Sequence, residues 1–181
     1  MNPKSLSDVG ALLILKIVLK PAFLCSNINL SSRESKLTLG GVVNFIAAAA
    51  SGAEVAGATP PIIEAAHDYG LHLGMAFQIM DDAMDYSLSS DDMGKNSGDD
   101  FLDQKITLPL IIAYGDGTNA ERQFWQRTIG EGAFADGDFA TACDILRRYD
   151  AIDRSVAKAV HYAHAADGAL ARIARENSDN S

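Results

Sequence analysis

From about residue 41 onward, apolar residues recur in long runs without the polar–apolar alternation that marks a β-strand. The alanine-rich stretch of residues 42–58 predicts a helix that packs closely on its neighbours. Thr59 then offers a cap, and Pro60 and Pro61 favour the start of a second helix. That helix meets no strong breaker for more than twenty residues. The pattern therefore predicts an all-α protein.

Further along the chain, the pattern predicts one long loop and several shorter helices. Residues 87–104 are rich in Ser, Asp and Gly and are predicted to form the loop. Pro109 lies early in the next apolar segment, where a helix tolerates it. Asp138 is predicted to be the N-cap of a helix, and a final alanine-rich helix should run from about 153 to 176, with a frayed tail after it. We expect a bundle of about six helices.

Gly70 and Gly74 lie four positions apart within the second predicted helix, so they share a face. Each costs about 1 kcal/mol in helix propensity relative to alanine, so a packing reason is expected. We predict that another helix packs closely against the backbone of the second helix at this face.

Composition and charge narrow the class of protein. The chain has 181 residues, 48% hydrophobic and 22% charged, as expected for one ordinary soluble domain. Its net charge of −9 argues against nucleic acid as a partner, because phosphate backbones attract basic surfaces. Two cysteines imply no disulfide framework and fit a reducing, cytoplasmic location.

The first 40 residues differ in composition from the rest. They hold five basic and two acidic residues, a net charge of +3, which leaves −12 for residues 41–181. Their apolar run is interrupted by Lys16, Lys20 and Pro21, so it predicts neither a membrane-spanning helix nor a signal peptide. No stable membrane insertion is expected.

Three aspartates end the second predicted helix, in the sequence GMAFQIMDDAMDY. Asp81 and Asp85 share a face, and Asp82 lies about 100° away. Three carboxylates over one turn make a hard, all-oxygen site of the kind that suits Mg²⁺, whereas the absence of interleaved His or Cys disfavours zinc. Solvated acids at a helix C-terminus are the alternative, which the helix dipole disfavours.

Two lysines follow the aspartates and extend this hypothesis. Lys95 lies in MGKNSGDD and Lys105 in DQKITLP. Lysines near an acidic metal site indicate a polyanionic ligand, because Mg²⁺ bridges carboxylates to phosphate oxygens and lysines neutralise the remaining charge. Gly94 and Gly98 would allow the backbone to fold close to such a ligand.

The segments FQIMDDAMDY and GKNSGDDFLDQKITLP resemble the second aspartate-rich motif and the following loop of trans-isoprenyl diphosphate synthases, the polyprenyl synthetase family. The form GKNSGDDF looks most like bacterial medium- and long-chain synthases. The resemblance runs from about Phe45 to near the C-terminus. It implies that residues 41–181 are the C-terminal part of the all-α isoprenoid synthase fold, and that residues 1–40 are a divergent segment.

The resemblance also implies roles for individual residues. Asp81, Asp82 and Asp85 would hold Mg²⁺ ions that bridge to the diphosphate of an allylic substrate, and Gln78, Lys95 and Lys105 would bind that diphosphate. Asp81, Asp82 and Lys95 would be the catalytic set. The implied reaction ionises the allylic diphosphate, after which isopentenyl diphosphate attacks the cation and a proton is lost.

The chain departs from the family pattern in its first part. Complete members carry an earlier DDxxD motif on a facing helix, and this chain has none. Gly40 and Gly41 stand where the family has a Lys-Thr pair. Three hypotheses remain: a prenyltransferase with doubtful solitary activity, a non-catalytic partner subunit or truncated gene product, and a terpene cyclase relative. A homo-oligomer or heteromer is expected.

Overall fold

The computed structural model describes residues 35–86 and 98–179, with side chains from residue 41 onward. Within these residues all regular structure is helical, which confirms the all-α prediction. The helices are α1 (Ser35–Val55), α2 (Pro60–Met84), α3 (Asp99–Leu102), α4 (Leu108–Asp116), α5 (Asn119–Trp125), a π-helical turn (Gln126–Gly130), α6 (Asp138–Arg148) and α7 (Ala151–Asp179).

Helix α2 lies at the centre, with α1 packed on one side and α7 on the other. The glycines of α2 make the close approach to α1 possible. A Cβ at Gly70 would lie 2.8 Å from Cα of Ile46, and one at Gly74 would lie 3.1 Å from Cα of Val42. Those atoms belong to backbone that cannot rotate away. The predicted packing role of Gly70 and Gly74 is therefore confirmed, and α1 is the partner helix.

A second group of helices, α3 to α6 with the start of α7, surrounds its own apolar core. Its fully buried members come from every one of these elements and include Phe101, Ala113, Trp125, Leu146 and Ala151. The rings of Phe101 and Trp125 pack edge to face, with their centroids 6.5 Å apart. Interdigitated aromatic and aliphatic side chains of this kind supply most of the apolar burial that stabilises a domain of this size.

A buried carboxylate, Glu121, ties α5 to the junction of α6 and α7. Its side chain accepts hydrogen bonds from the backbone N–H of Thr118 at 2.7 Å and from the Tyr149 hydroxyl at 2.7 Å, and it pairs with Arg148. Thr118 accepts in turn from the Glu121 backbone, which completes a capping box. These bonds lower the pKa of Glu121 to about 2, the Thr118 backbone N–H contributing most.

Three boundary predictions need correction. The N-cap of α6 is Gly137, in a left-handed conformation, and not Asp138. The Asp138 carboxylate instead accepts from the Ala135 backbone at 2.7 Å and forms a two-bonded pair with Arg127. Residues 99–102 of the predicted loop form a helical turn, and α7 extends to Asp179 where fraying was predicted. At Asp138 and at residues 99–102, contacts with Arg127 and Asp85 go beyond the local sequence pattern.

Among the described residues, none of the helices is both long enough and apolar enough to cross a bilayer.

Candidate functional site

The carboxylate end of α2 places its three aspartates in three different environments. Asp81 is exposed, Asp82 is only 7% exposed, and Asp85 is intermediate. The helical period explains the difference, because Asp81 and Asp85 turn away from the helix face on which Asp82 enters the protein. Asp85 is also the C-cap residue, where its backbone N–H donates to the Asp81 carbonyl at 3.3 Å. The aspartates predicted to act together thus range from solvated to buried.

Asp82 is the most perturbed of the three. Burial raises its pKa to about 7, and the nearby charges of Asp100 and Asp81 act in the same direction. Gln78 Nε2 donates to Asp82 Oδ1 at 3.3 Å and partly offsets this effect. A carboxylate that is costly to ionise in its own protein gains most when a cation is placed beside it. Gln78 is therefore a hydrogen-bond partner of Asp82, and its predicted role in binding diphosphate stays a prediction.

Asp100 is a fourth carboxylate at this site, and it was not assigned to the site from the α2 pattern. The backbone N–H of Asp100 donates to Asp85 Oδ2 at 3.2 Å, and its side chain is buried. Burial raises the pKa of Asp85, and the Asp100 charge adds to the effect. The available signal was the pair of aspartates in SGDDF, which the sequence analysis treated as part of the loop.

Lys105 reaches the site through Asp100. Its Nζ forms an ion pair with Asp100 Oδ1, and the lysine is only partly exposed. Burial alone lowers the pKa of Lys105, but the hydrogen bond and charge of Asp100 outweigh it and raise the pKa. The lysine is therefore a permanent cation beside the aspartates. The structure brings Lys105 to the predicted site by way of an acidic residue.

Two hydroxyl groups lie buried behind the carboxylates. Tyr86 follows Asp85, and Thr107 follows Lys105 in the TLP sequence. Neither Tyr86 Oη nor Thr107 Oγ1 has a hydrogen-bond partner within normal geometry among the described residues. Burial raises the pKa of Tyr86, and the charges of Asp100, Asp85 and Asp82 contribute. The site thus contains two buried neutral hydroxyl groups in addition to its carboxylates.

Helix α1 packs against the side chain of Gln78. A Cβ at Gly41 would lie 2.9 Å from Gln78 Oε1. Gly41 thus stands against the side chain that contacts Asp82, and any residue with a side chain at this position would have to displace Gln78. Gly41 therefore lies at the site itself.

The described residues have the oxygen ligands of a divalent-cation site, but these ligands do not converge on one point. Within the described ranges, no three His, Cys, Asp or Glu side chains converge closely enough to hold a metal ion. The oxygen-only donor set, its buried carboxylates and its raised pKa values fit a hard divalent cation of the kind that oxygen ligands hold. Lys95 and Gly94 lie outside the described residues, so their predicted roles stay predictions.

Comparison with known proteins gives a consistent result. A family model described as polyprenyl synthetase matches residues 40–146. Octaprenyl diphosphate synthase of Escherichia coli strain K12 is 42% identical over 88 residues, which are 49% of this chain and 27% of that protein. Heptaprenyl diphosphate synthase component 2 of Geobacillus stearothermophilus is 33% identical over 112 residues, 61% of this chain and 33% of that protein. The chain thus matches about a third or less of these relatives.

Solved structures cover more of the chain. A decaprenyl diphosphate synthase from Rhodobacter capsulatus superposes with a TM-score of 0.70 at 31% identity, over 91% of this chain and 55% of that one. A polyprenyl synthase from Caulobacter crescentus, complexed with calcium and isoprenyl diphosphate, gives a TM-score of 0.68 at 34% identity, over 92% and 53%. The fold described above is therefore that of about half of a helical isoprenyl synthase.

Proposed function

Because this chain belongs to the polyprenyl synthetase family, we propose that it acts in prenyl transfer, in which isopentenyl diphosphate condenses with an allylic diphosphate. Residues 41–181 would form the C-terminal part of the synthase domain, and residues 1–40 a divergent segment. A cytoplasmic location fits this proposal, as does assembly into a homo-oligomer or heteromer.

The observation that carries the proposal is the set of oxygen ligands and one cation at the end of α2. Asp82 and Asp85 are partly or fully buried and costly to ionise, which favours a bound cation. Lys105 stays charged beside them through Asp100. Asp81 is exposed on the same turn and is free to turn toward a ligand. A diphosphate with its counter-cations matches this distribution of charge.

Each residue has a separate task in this proposal. Asp81, Asp82 and Asp85 would hold Mg²⁺, Gln78 would orient the Asp82 carboxylate, and Lys95 and Lys105 would bind diphosphate oxygens. When bound, Mg²⁺ would neutralise the diphosphate and make it a better leaving group. The exposed ring of Phe77, one turn before Asp81, would present an apolar surface to the prenyl chain.

A second candidate function is that of a subunit that completes a partner synthase. One observation favours it. One relative is itself named component 2 of a heptaprenyl diphosphate synthase. In this case the carboxylates of this chain would face those of a partner chain.

Ligand binding tests the site without requiring turnover. Millimolar Mg²⁺ with inorganic diphosphate should raise the melting temperature of the wild-type chain, because a ligand at 100 times its Kd adds about 2.7 kcal/mol to the free energy of unfolding. Asp81→Ala with Asp85→Ala should abolish this shift. Asp167→Ala, an exposed acid on α7, should keep it. An unchanged wild-type melting curve would show that the site does not bind by itself.

Turnover separates the two candidate functions. Incorporation of radiolabelled isopentenyl diphosphate should be very low for the chain alone, because loss of one charge-stabilising group often costs about 10²–10³-fold in rate. A subunit would gain activity on mixing with a chain that supplies the earlier motif. Robust turnover by the isolated chain would contradict the subunit reading.

A further inference from the structure

Helix α2 presents an apolar face beside its carboxylates. Phe77, Asp81 and Met84 occupy positions i, i+4 and i+7, so they line one side of the helix. Phe77 is 57% exposed and Met84 is 59% exposed. Phe45 of α1 lies beside Phe77, with ring centroids 5.5 Å apart. We call these residues of α2 the Phe77–Met84 face. Its large apolar side chains and its negative charge together require an apolar, basic occupant.

The chain itself contains a segment with that composition. Residues 1–34 carry four basic and two acidic residues, in contrast to the strongly acidic remainder. Their longest apolar run, VGALLILKIVLK from Val9, contains Lys16 and Lys20. These lysines are four positions apart, the same spacing as that between Asp81 and Asp85. Apolar content and charge are therefore both complementary to the Phe77–Met84 face.

The connection to α1 places this segment at the correct end of the face. Gly41 lies against Gln78, whereas Ile46 lies against Gly70, so α1 and α2 are antiparallel. Ser35 precedes Gly41 by six residues and thus lies about 9 Å further along, toward Asp85. The chain enters α1 beside the carboxylates.

The length of the intervening chain is sufficient. Fourteen residues, 21–34, separate the apolar run from α1. When extended they span roughly 45 Å, more than the roughly 30 Å length of α1. Every point of the Phe77–Met84 face is within reach of the apolar run.

We propose that residues 1–34 dock on the Phe77–Met84 face of the same chain, with the apolar run against Phe77 and Met84 and with Lys16 and Lys20 opposite Asp81 and Asp85. This docking goes beyond the proposed function and does not depend on it. The docked segment would shield Phe77 and Met84 from water within the same chain.

Site-specific photocrosslinking in the full chain tests the proposal. The photoreactive residue p-benzoylphenylalanine replaces Phe77, and crosslinked peptides are identified by mass spectrometry from an equal mixture of ¹⁴N- and ¹⁵N-labelled chains. We expect crosslinks to peptides within residues 1–34, of a single isotope composition. The matched control is the same substitution at Leu170, which is 43% exposed on α7 near the opposite end of α2. It should give no crosslink to residues 1–34.

Charge reversal then tests the lysine contacts. Lys16→Glu with Lys20→Glu should reduce the crosslink yield from position 77 roughly fivefold at low salt, the order expected for two exposed ion pairs. Lys4→Glu, outside the apolar run, should leave the yield unchanged. Crosslinks of mixed isotope composition alone would show that a second copy covers the face, and crosslinks only outside 1–34 would show that another region does. Either result would overturn the proposal.

Discussion

Two regions of this molecule treat their polar and apolar groups in opposite ways. In the helices α3–α7, Glu121 is bonded to Thr118, Tyr149 and Arg148, and Leu146 is fully buried. At the carboxylate end of α2, Asp82 and Asp85 lie near a further carboxylate, and Phe77 is exposed one turn away. The first region pairs its buried carboxylate and covers its large apolar side chains within the chain, whereas the second leaves charge and apolar surface for something else to complete.

Stability and ligand binding therefore depend on different regions of the molecule. A region whose groups are paired internally gains free energy from each contact and resists substitution. A region of neighbouring buried carboxylates is destabilising until a cation arrives, and functional sites commonly have this property. Substitutions that stabilised the protein when made in the first region, or destabilised it when made in the second, would contradict this division.

The largest effect is expected in the α3–α7 core. Leu146→Ala should lower the free energy of unfolding by about 2–5 kcal/mol, because it removes a fully buried side chain and leaves a cavity. Val160→Ala removes a 45% exposed side chain on α7 and should change stability by less than about 0.5 kcal/mol. Urea unfolding of both variants measures the difference. Equal losses would show that this core is not the stabilising one.

The next effect is expected at the contact between α1 and α2. Gly70→Ala should destabilise the protein by about 1–3 kcal/mol, because the new Cβ meets the backbone of Phe45 and Ile46. Gly168→Ala, which meets nothing on α7, should instead stabilise by about 0.5–1 kcal/mol through helix propensity. Chemical unfolding of the pair checks the opposite signs. A gain at Gly70 would mean that α1 does not pack there.

Glu121 gives a pH-dependent test of the internally paired region. Its pKa is about 2 in the folded protein and ordinarily 4.5, so the folded state binds fewer protons between these values. Its contribution to stability is therefore complete above about pH 4.5 and is lost as pH falls toward 2. Glu121→Gln should melt several degrees lower than wild type at pH 7, and the gap should close with acidification. A gap independent of pH would exclude the charge as its cause.

At Asp82 the expected effect on stability has the reverse sign. Its folded pKa of about 7 lies above the ordinary 3.8, so the folded state binds more protons between these values. Stability therefore falls as pH rises from about 4 to 7. In EDTA, Asp82→Asn should melt a few degrees above wild type at pH 8 and no higher at pH 4. A lower melting temperature at pH 8 would show that Asp82 is stabilised by a partner in the folded protein.

Local sequence patterns were enough to predict the helical class, the glycine contact at Gly70 and Gly74, and the acidic end of α2. Helical period, turn residues and carboxylate chemistry are local properties, so one segment at a time is enough to read them. The family motifs likewise lie within continuous stretches, and the polyprenyl synthetase match over residues 40–146 is consistent with them.

Which groups meet depends on the tertiary fold. The fold buries Asp82 and leaves Asp81 exposed, brings Asp100 to Asp85 and Lys105 to Asp100, and sets Gly41 against Gln78. It also moved the cap of α6 to Gly137, because Asp138 is bonded to Arg127 instead. The physical reason is the same in each case. Burial, pKa and ion pairing depend on neighbours that are distant in the chain, and a local pattern carries no information about those neighbours.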